Sequence, residues 1–127
     1  MRRGIATAFF LSLSLSAHSA YADSGTELLH ECLEAQKLLA GVTNNVDVLK
    51  ASYCLTYIEG FRDSLVMNKV AVETEGKSSE QLICMPENIN NGHLIKIVTR
   101  FIEDTPVMQK EHKAAVVYGA LYSSYGC

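Results

Sequence analysis

The sequence predicts an all-α fold: a small disulfide-stapled bundle of about four main helices, arranged as two helical hairpins. Three observations predict it. Apolar residues recur at intervals of three and four along most of the chain, and no stretch alternates with a period of two for long enough to make a strand. Four cysteines, Cys32, Cys54, Cys84 and Cys127, follow an N-terminus that reads as an export signal, so pairing in an oxidising compartment is expected.

The signal comprises basic Arg2 and Arg3, an apolar run from Ile5 to Leu15, and small residues ending in Ala20-Tyr21-Ala22, the A-x-A pattern of a cleavage site. Residues 1–22 are therefore expected to be removed, leaving residues 23–127 as one domain in the periplasm. The apolar run is short of the roughly 20 residues a spanning helix needs.

The first helix is expected over residues 26–40, where Leu28, Cys32, Ala35 and Leu39 form one stripe and Gly41 stops it. Asp47 can cap a longer second helix whose inward face reads Cys54, Ile58, Phe61 and Leu65, ending near Val72. Residues 73–91 lose the periodicity and carry turn formers, among them Gly76, Pro86 and Asn88. A third helix resumes near Gly92 with Leu94, Ile97, Val98 and Phe101, and must end before Pro106. Thr105-Pro106 then reads as the start of the fourth, with proline at its first position, Ala114, Val117, Tyr118 and Leu121 inward, and Gly126 as its stop.

Four cysteines allow three pairings. Residues equally far from the turn of a hairpin lie opposite one another. Cys32 lies 12 residues before a turn centred at Asn44 and Cys54 lies 10 after it; Cys84 lies 21 before Thr105 and Cys127 lies 22 after it. The equal arms favour Cys32 with Cys54 and Cys84 with Cys127. No C-x-x-C pair is present, which argues against metal binding or redox chemistry.

Charge narrows the partners. Residues 1–22 hold two of the eleven basic residues and none of the fourteen acidic ones, so nine basic and fourteen acidic residues remain, a formal charge of −5. That disfavours nucleic acid and anionic membranes and leaves room for a basic protein partner.

Nothing in the sequence assembles an active site. His30, His93 and His112 have no converging partners, an even cysteine count in an oxidising compartment leaves no thiolate, and H-E-x-x-H, G-x-S-x-G and glycine-rich phosphate loops are missing. Glu59 and Asp63, one turn apart, could pair as acid and base, but Arg62 beside them favours a solvated face. No cofactor or metal site is expected, and the chain is read as a binding protein. Tyr53, Tyr57, Tyr118, Tyr122 and Tyr125 bring apolar area with a polar tip, the kind of residue interfaces favour. Val66, Met67, Val70 and Val72 extend apolar character late into the second helix, which suggests a homodimer contact.

The run from Cys54 through Tyr57, Ile58, Gly60 and Asp63, then Ile83-Cys84-Met85-Pro86, Pro106, and the closing Tyr125-Gly126-Cys127 resemble the Rap/Tai family of periplasmic immunity proteins against type VI secretion amidase effectors. The resemblance covers essentially all of residues 23–127. Gly126 departs from the proline expected before the last cysteine, with little consequence because either residue ends a helix. The resemblance implies a helical, commonly homodimeric protein that binds a peptidoglycan amidase, occludes its active-site cleft and performs no catalysis itself. It also implies close helix packing at Gly60.

For the contact surface the chain itself offers a candidate. A plug must be held by a rigid scaffold, and Glu73, Glu75, Gly76, Lys77, Ser78, Ser79, Glu80 and Gln81 form a polar, acidic stretch just before Cys84. Its acidity would speed encounter with a basic enzyme. A different class, a small periplasmic stress chaperone, would share the export signal, helices and disulfides but would serve many clients without a stoichiometric partner.

Overall fold

The computed structural model describes residues 23–76 and 82–127. The expected signal segment and five candidate contact residues, Lys77, Ser78, Ser79, Glu80 and Gln81, lie outside them. Four α-helices, α1 (Gly25–Leu39), α2 (Val48–Thr74), α3 (Asn91–Asp104) and α4 (Lys113–Tyr125), are joined by loops and by one 3-10 turn, Pro106–Lys110. Among the described residues there is no strand, only two isolated bridges between extended residues.

Each helix begins at a side chain that accepts from a backbone amide left without a partner inside the helix. Ser24 accepts from the Glu27 amide, Asp47 from that of Lys50, Asn90 from that of His93, and His112 through Nδ1 from that of Ala114. α1 ends in a left-handed Gly41, with its amide on the Leu38 carbonyl and that of Val42 on the Lys37 carbonyl. Only glycine takes that backbone conformation without cost, so the stop expected at Gly41 has its physical reason.

α1 is central and touches α2, α3, α4 and the 3-10 turn. Leu28, Cys32 and Ala35 of α1 meet Ala51, Cys54 and Ile58 of α2, with Leu94, Ile95, Val98 and Ile102 of α3 and Val116, Val117, Ala120 and Leu121 of α4 completing one core. Gln36 of α1 donates to Thr99 of α3 at 2.7 Å, which satisfies a buried hydroxyl beside that core. No described helix is long and apolar enough to cross a membrane.

Both disulfides take the expected pairing, with Cα–Cα distances of 5.0 Å for Cys32–Cys54 and 5.3 Å for Cys84–Cys127. The first is fully buried between α1 and α2, whereas both cysteines of the second are exposed. The second pair has equal arms for a different reason from the one assumed. α3 and α4 are nearly equal, at 14 and 13 residues, and each is preceded in its arm by a segment that is not α-helical, the loop before α3 and the 3-10 turn with extended Glu111 and His112 before α4. Its ends are matched by a bridge in which the Cys84 amide donates to the Tyr125 carbonyl and the Cys127 amide to the Leu82 carbonyl.

The structure corrects the sequence reading at four places. The fourth helix does not start at Pro106. Proline opens the 3-10 turn, Glu111 and His112 are extended, and α4 begins at Lys113. The reason is a clip in which the Gly25 amide donates to the Glu111 carbonyl at 2.9 Å and the Lys113 amide to the Asp23 carbonyl at 2.7 Å. Those backbone groups are committed to the other end of the domain and cannot continue a helix.

Tyr118 and Leu39, expected inward, are exposed. Gly60 packs against nothing: a Cβ there would meet no atom within 4 Å. The close approach that needs glycine is at Gly25, where a Cβ would fall 2.0 Å from the Met108 carbonyl oxygen. Lastly, α2 runs to Thr74, so Glu73 belongs to a helix end and not to the loop.

Candidate functional site

α2 is 27 residues long against 15 for α1, and at about 1.5 Å per residue its length is roughly 40 Å. Its buried residues, Ala51, Cys54 and Ile58, all lie in its first eleven positions. Beyond Ile58 no residue of the helix is buried, and residues 59–76 form an arm whose inner face is only half covered, at Phe61, Leu65 and Val72.

The root of this arm is held from one side. Ile83, buried, and Met85 and Ile89, half-buried, pack from the segment preceding α3, and a shallow cleft lies between them and Arg62, Leu65, Val66 and Lys69. Arg62 donates to the Asn91 side chain at 2.8 Å, tying the arm to the start of α3. It also sits within 3.9 Å of Glu59 and 3.4 Å of Asp63, so the two carboxylates considered as an acid–base pair are ion-pair partners of one guanidinium.

On the arm's outer face Val66, Met67 and Val70 are 52, 65 and 48 % exposed, and Leu82 beyond the turn is 55 % exposed. Val70 lies four residues from Val66 and three from Met67, so the three share a face. Val72, grouped with them in the sequence, turns away and is half-buried.

At the tip stand Glu73 in the last turn, Glu75 at the cap and Gly76 in the left-handed conformation that ends the helix. The last turn holds no basic residue. Both carboxylates therefore sit at the negative end of the helix dipole, where a cation is favoured and an anion is not. The described part of the predicted contact stretch, Glu73, Glu75 and Gly76, is thus brought together at an exposed helix end. The apolar face beside it is where the sequence placed a homodimer contact.

Neither an active site nor a metal site takes shape among the described residues. No group of three His, Cys, Asp or Glu side chains is placed to hold a metal, every described cysteine is in a disulfide, His30 and His93 are solvent-exposed, and His112 is a helix cap. Tyr53, Tyr118 and Tyr122 are exposed, the latter two stacked with ring centroids 6.0 Å apart, while Tyr57 and Tyr125 are half-buried.

One residue was missed by the sequence reading. Glu31 lies on the apolar stripe of α1, three residues after Leu28 and four before Ala35, and it is 5 % exposed. The signal was available, since a charged residue at that spacing must face the core.

Comparison with known proteins bears on what such a surface binds. Searches among curated proteins and among solved structures gave no match. The family model of Rap1a immunity proteins matches residues 24–127, which takes in all four helices, both disulfides and the arm. The chain belongs to the Rap1a immunity protein family, and its function is immunity against a secreted effector, exercised by binding that effector.

Proposed function

We propose that this protein is exported to the periplasm with loss of residues 1–22, and that there it binds and inhibits a cognate type VI secretion peptidoglycan amidase by occluding its active site. The cell is thereby protected from lysis by its own effector and by that of its siblings. Catalysis belongs to the effector alone. The effector contact is the polar, acidic stretch Glu73, Glu75, Gly76, Lys77, Ser78, Ser79, Glu80 and Gln81, which follows the exposed length of α2.

The observation that carries this reading is the long, one-sided extension of α2 beyond its core. Its root is fixed by the buried Cys32–Cys54 bond and by Arg62, so little ordering is needed on binding, and a preorganised segment loses less affinity to entropy. Glu73, a carboxylate in the last turn at the negative end of a helix, would also be favoured by a basic surface. The family membership supports an effector partner. A second copy of the chain covering Val66, Met67 and Val70, a homodimer, is part of the same proposal and accounts for three large apolar side chains left in water.

The test is co-expression with the neighbouring amidase, both directed to the periplasm, scoring lysis. Rescue that is abolished by scrambling residues 73–81 while the fold and disulfides persist would support inhibition through the arm. Failure to inhibit any amidase encoded beside the gene would sink the reading. General suppression of client aggregation, without a stoichiometric partner, would instead mark a chaperone.

A further inference from the structure

Glu31 poses a problem of its own. It is 5 % exposed within the α1 stripe, and its Oε2 is buried without a hydrogen-bond partner. A buried carboxylate in that state is costly, and a buried carboxylic acid much less so.

The charges around it come from every side of the clip. Lys113, from the first position of α4, acts on it most strongly among the neighbouring charges, with Glu27 of α1, Lys50 of α2 and Asp23 of the N-terminal segment also acting on it. Lys113 itself is engaged from two elements: its Nζ lies 3.3 Å from the Asp23 carboxylate and 4.9 Å from the centre of the Tyr57 ring on α2, among its contacts. A lysine in the first turn of a helix opposes the helix dipole, so its position is set by these contacts and not by the helix it opens. The Lys113 amide meanwhile closes the clip by donating to the Asp23 carbonyl.

We propose that Glu31 is a proton-operated latch on this clip. While protonated, it leaves Lys113 committed to Asp23 and lets α1, α2 and α4 close around it. When it ionises it competes with Asp23 for Lys113 and loosens the hold of residues 23–25 on residues 111–113. Burial pushes the Glu31 carboxyl above the ordinary carboxylate range, and the attraction of Lys113 only partly opposes that. The cluster reaches α2 at Tyr57, one turn before Gly60, so the latch sits beside the root of the arm.

The sign follows from linkage. A group whose value is raised on folding contributes stability that is complete below its unfolded value and is lost as the pH rises through the folded one. Thermal unfolding of the wild-type protein and Glu31→Gln, disulfides intact, should therefore coincide near pH 4.5 and diverge as pH rises to 8. The variant should become the more stable of the two, with a Tm that rises progressively above that of the wild type as the pH increases. Amide exchange at Gly25 and Lys113 should accelerate over the same range in the wild type and hold in the variant. A difference between the two proteins that is constant across the range would overturn the proposal. Should Glu31→Gln not fold, the carboxyl carbon of Glu31 can be titrated by NMR in the wild type. A midpoint above the ordinary carboxylate range is expected, and one within or below that range would equally overturn the latch.

Discussion

The two halves of α2 are one continuous helix built to opposite ends. Residues 48–58 place Ala51, Cys54 and Ile58 in the core and are bonded to α1, whereas residues 59–74 only rest Phe61 and Leu65 against the edge of that core and carry Val66, Met67 and Val70 in the open. Gly60 stands at the change. The lesson is that helix length and helix burial are separate decisions: a core needs about three turns of α2, and the further four to five turns contribute reach, which is what a binding surface requires.

Breaking the covalent lock should separate the halves most. On the chain-entropy account, opening the 22-residue Cys32–Cys54 loop costs about 3 kcal/mol and the 43-residue Cys84–Cys127 loop about 4 kcal/mol. Loss of the buried pair also leaves a cavity, so paired Cys→Ala variants at Cys32 and Cys54 should at least equal the other pair in denaturant unfolding. Under mild reductant the exposed Cys84–Cys127 bond should open first, because the other is shielded; mass spectrometry of the alkylated protein shows the order.

A smaller effect divides the same helix by truncation. Ile58→Ala should cost about 3 kcal/mol of stability by deleting a core side chain, whereas Met67→Ala should change the stability of the monomer by no more than about 0.5 kcal/mol while weakening the association of two copies. If Met67→Ala destabilises as much as Ile58→Ala, the arm is part of the core and the comparison fails. Gly60→Ala goes the other way. With open space around it and a mid-helix position, alanine should stabilise by about 0.5–1 kcal/mol, measured by urea unfolding.

Smallest is the charge at the tip. Glu73→Gln should stabilise by about 0.3–1 kcal/mol at low ionic strength, less in salt, and slow association with a basic effector. Faster association would put the partner's positive surface elsewhere.

Two carboxylates of α1 show how far the sequence could be read. Glu34 is held below the ordinary range, first by its hydrogen bond from Lys37 and then by that from the Asp47 amide, partners supplied by its own helix and the adjoining loop. Glu31 is pushed up by burial, which depends on α2 and α4 closing over it. The three-and-four spacing that gave α1 its stripe also contained Glu31, so its burial was legible, but its opposition to Lys113, 82 residues away, was not. The candidate site divides likewise. The apolar excess of Val66, Met67 and Val70 could be read along the chain, while their exposure depends on where the other described helices stop.

What the sequence determined by itself is whatever neighbours along the chain decide: four helices, their caps at Asp47 and Gly41, the pairing of cysteines at matched distances, and a pattern specific enough to mark the family. Caps, periodicity and turn chemistry act within a few residues, so they survive being read in one dimension. The tertiary structure alone decided that α4 waits until Lys113, that Gly25 and not Gly60 is the glycine a neighbour requires, and that beyond Ile58 only one face of α2 still rests on the core. Each of these is fixed by competition between segments distant in sequence for the same backbone groups or the same space, as when Asp23 and Gly25 claim the partners that would have carried a helix through residues 111–113.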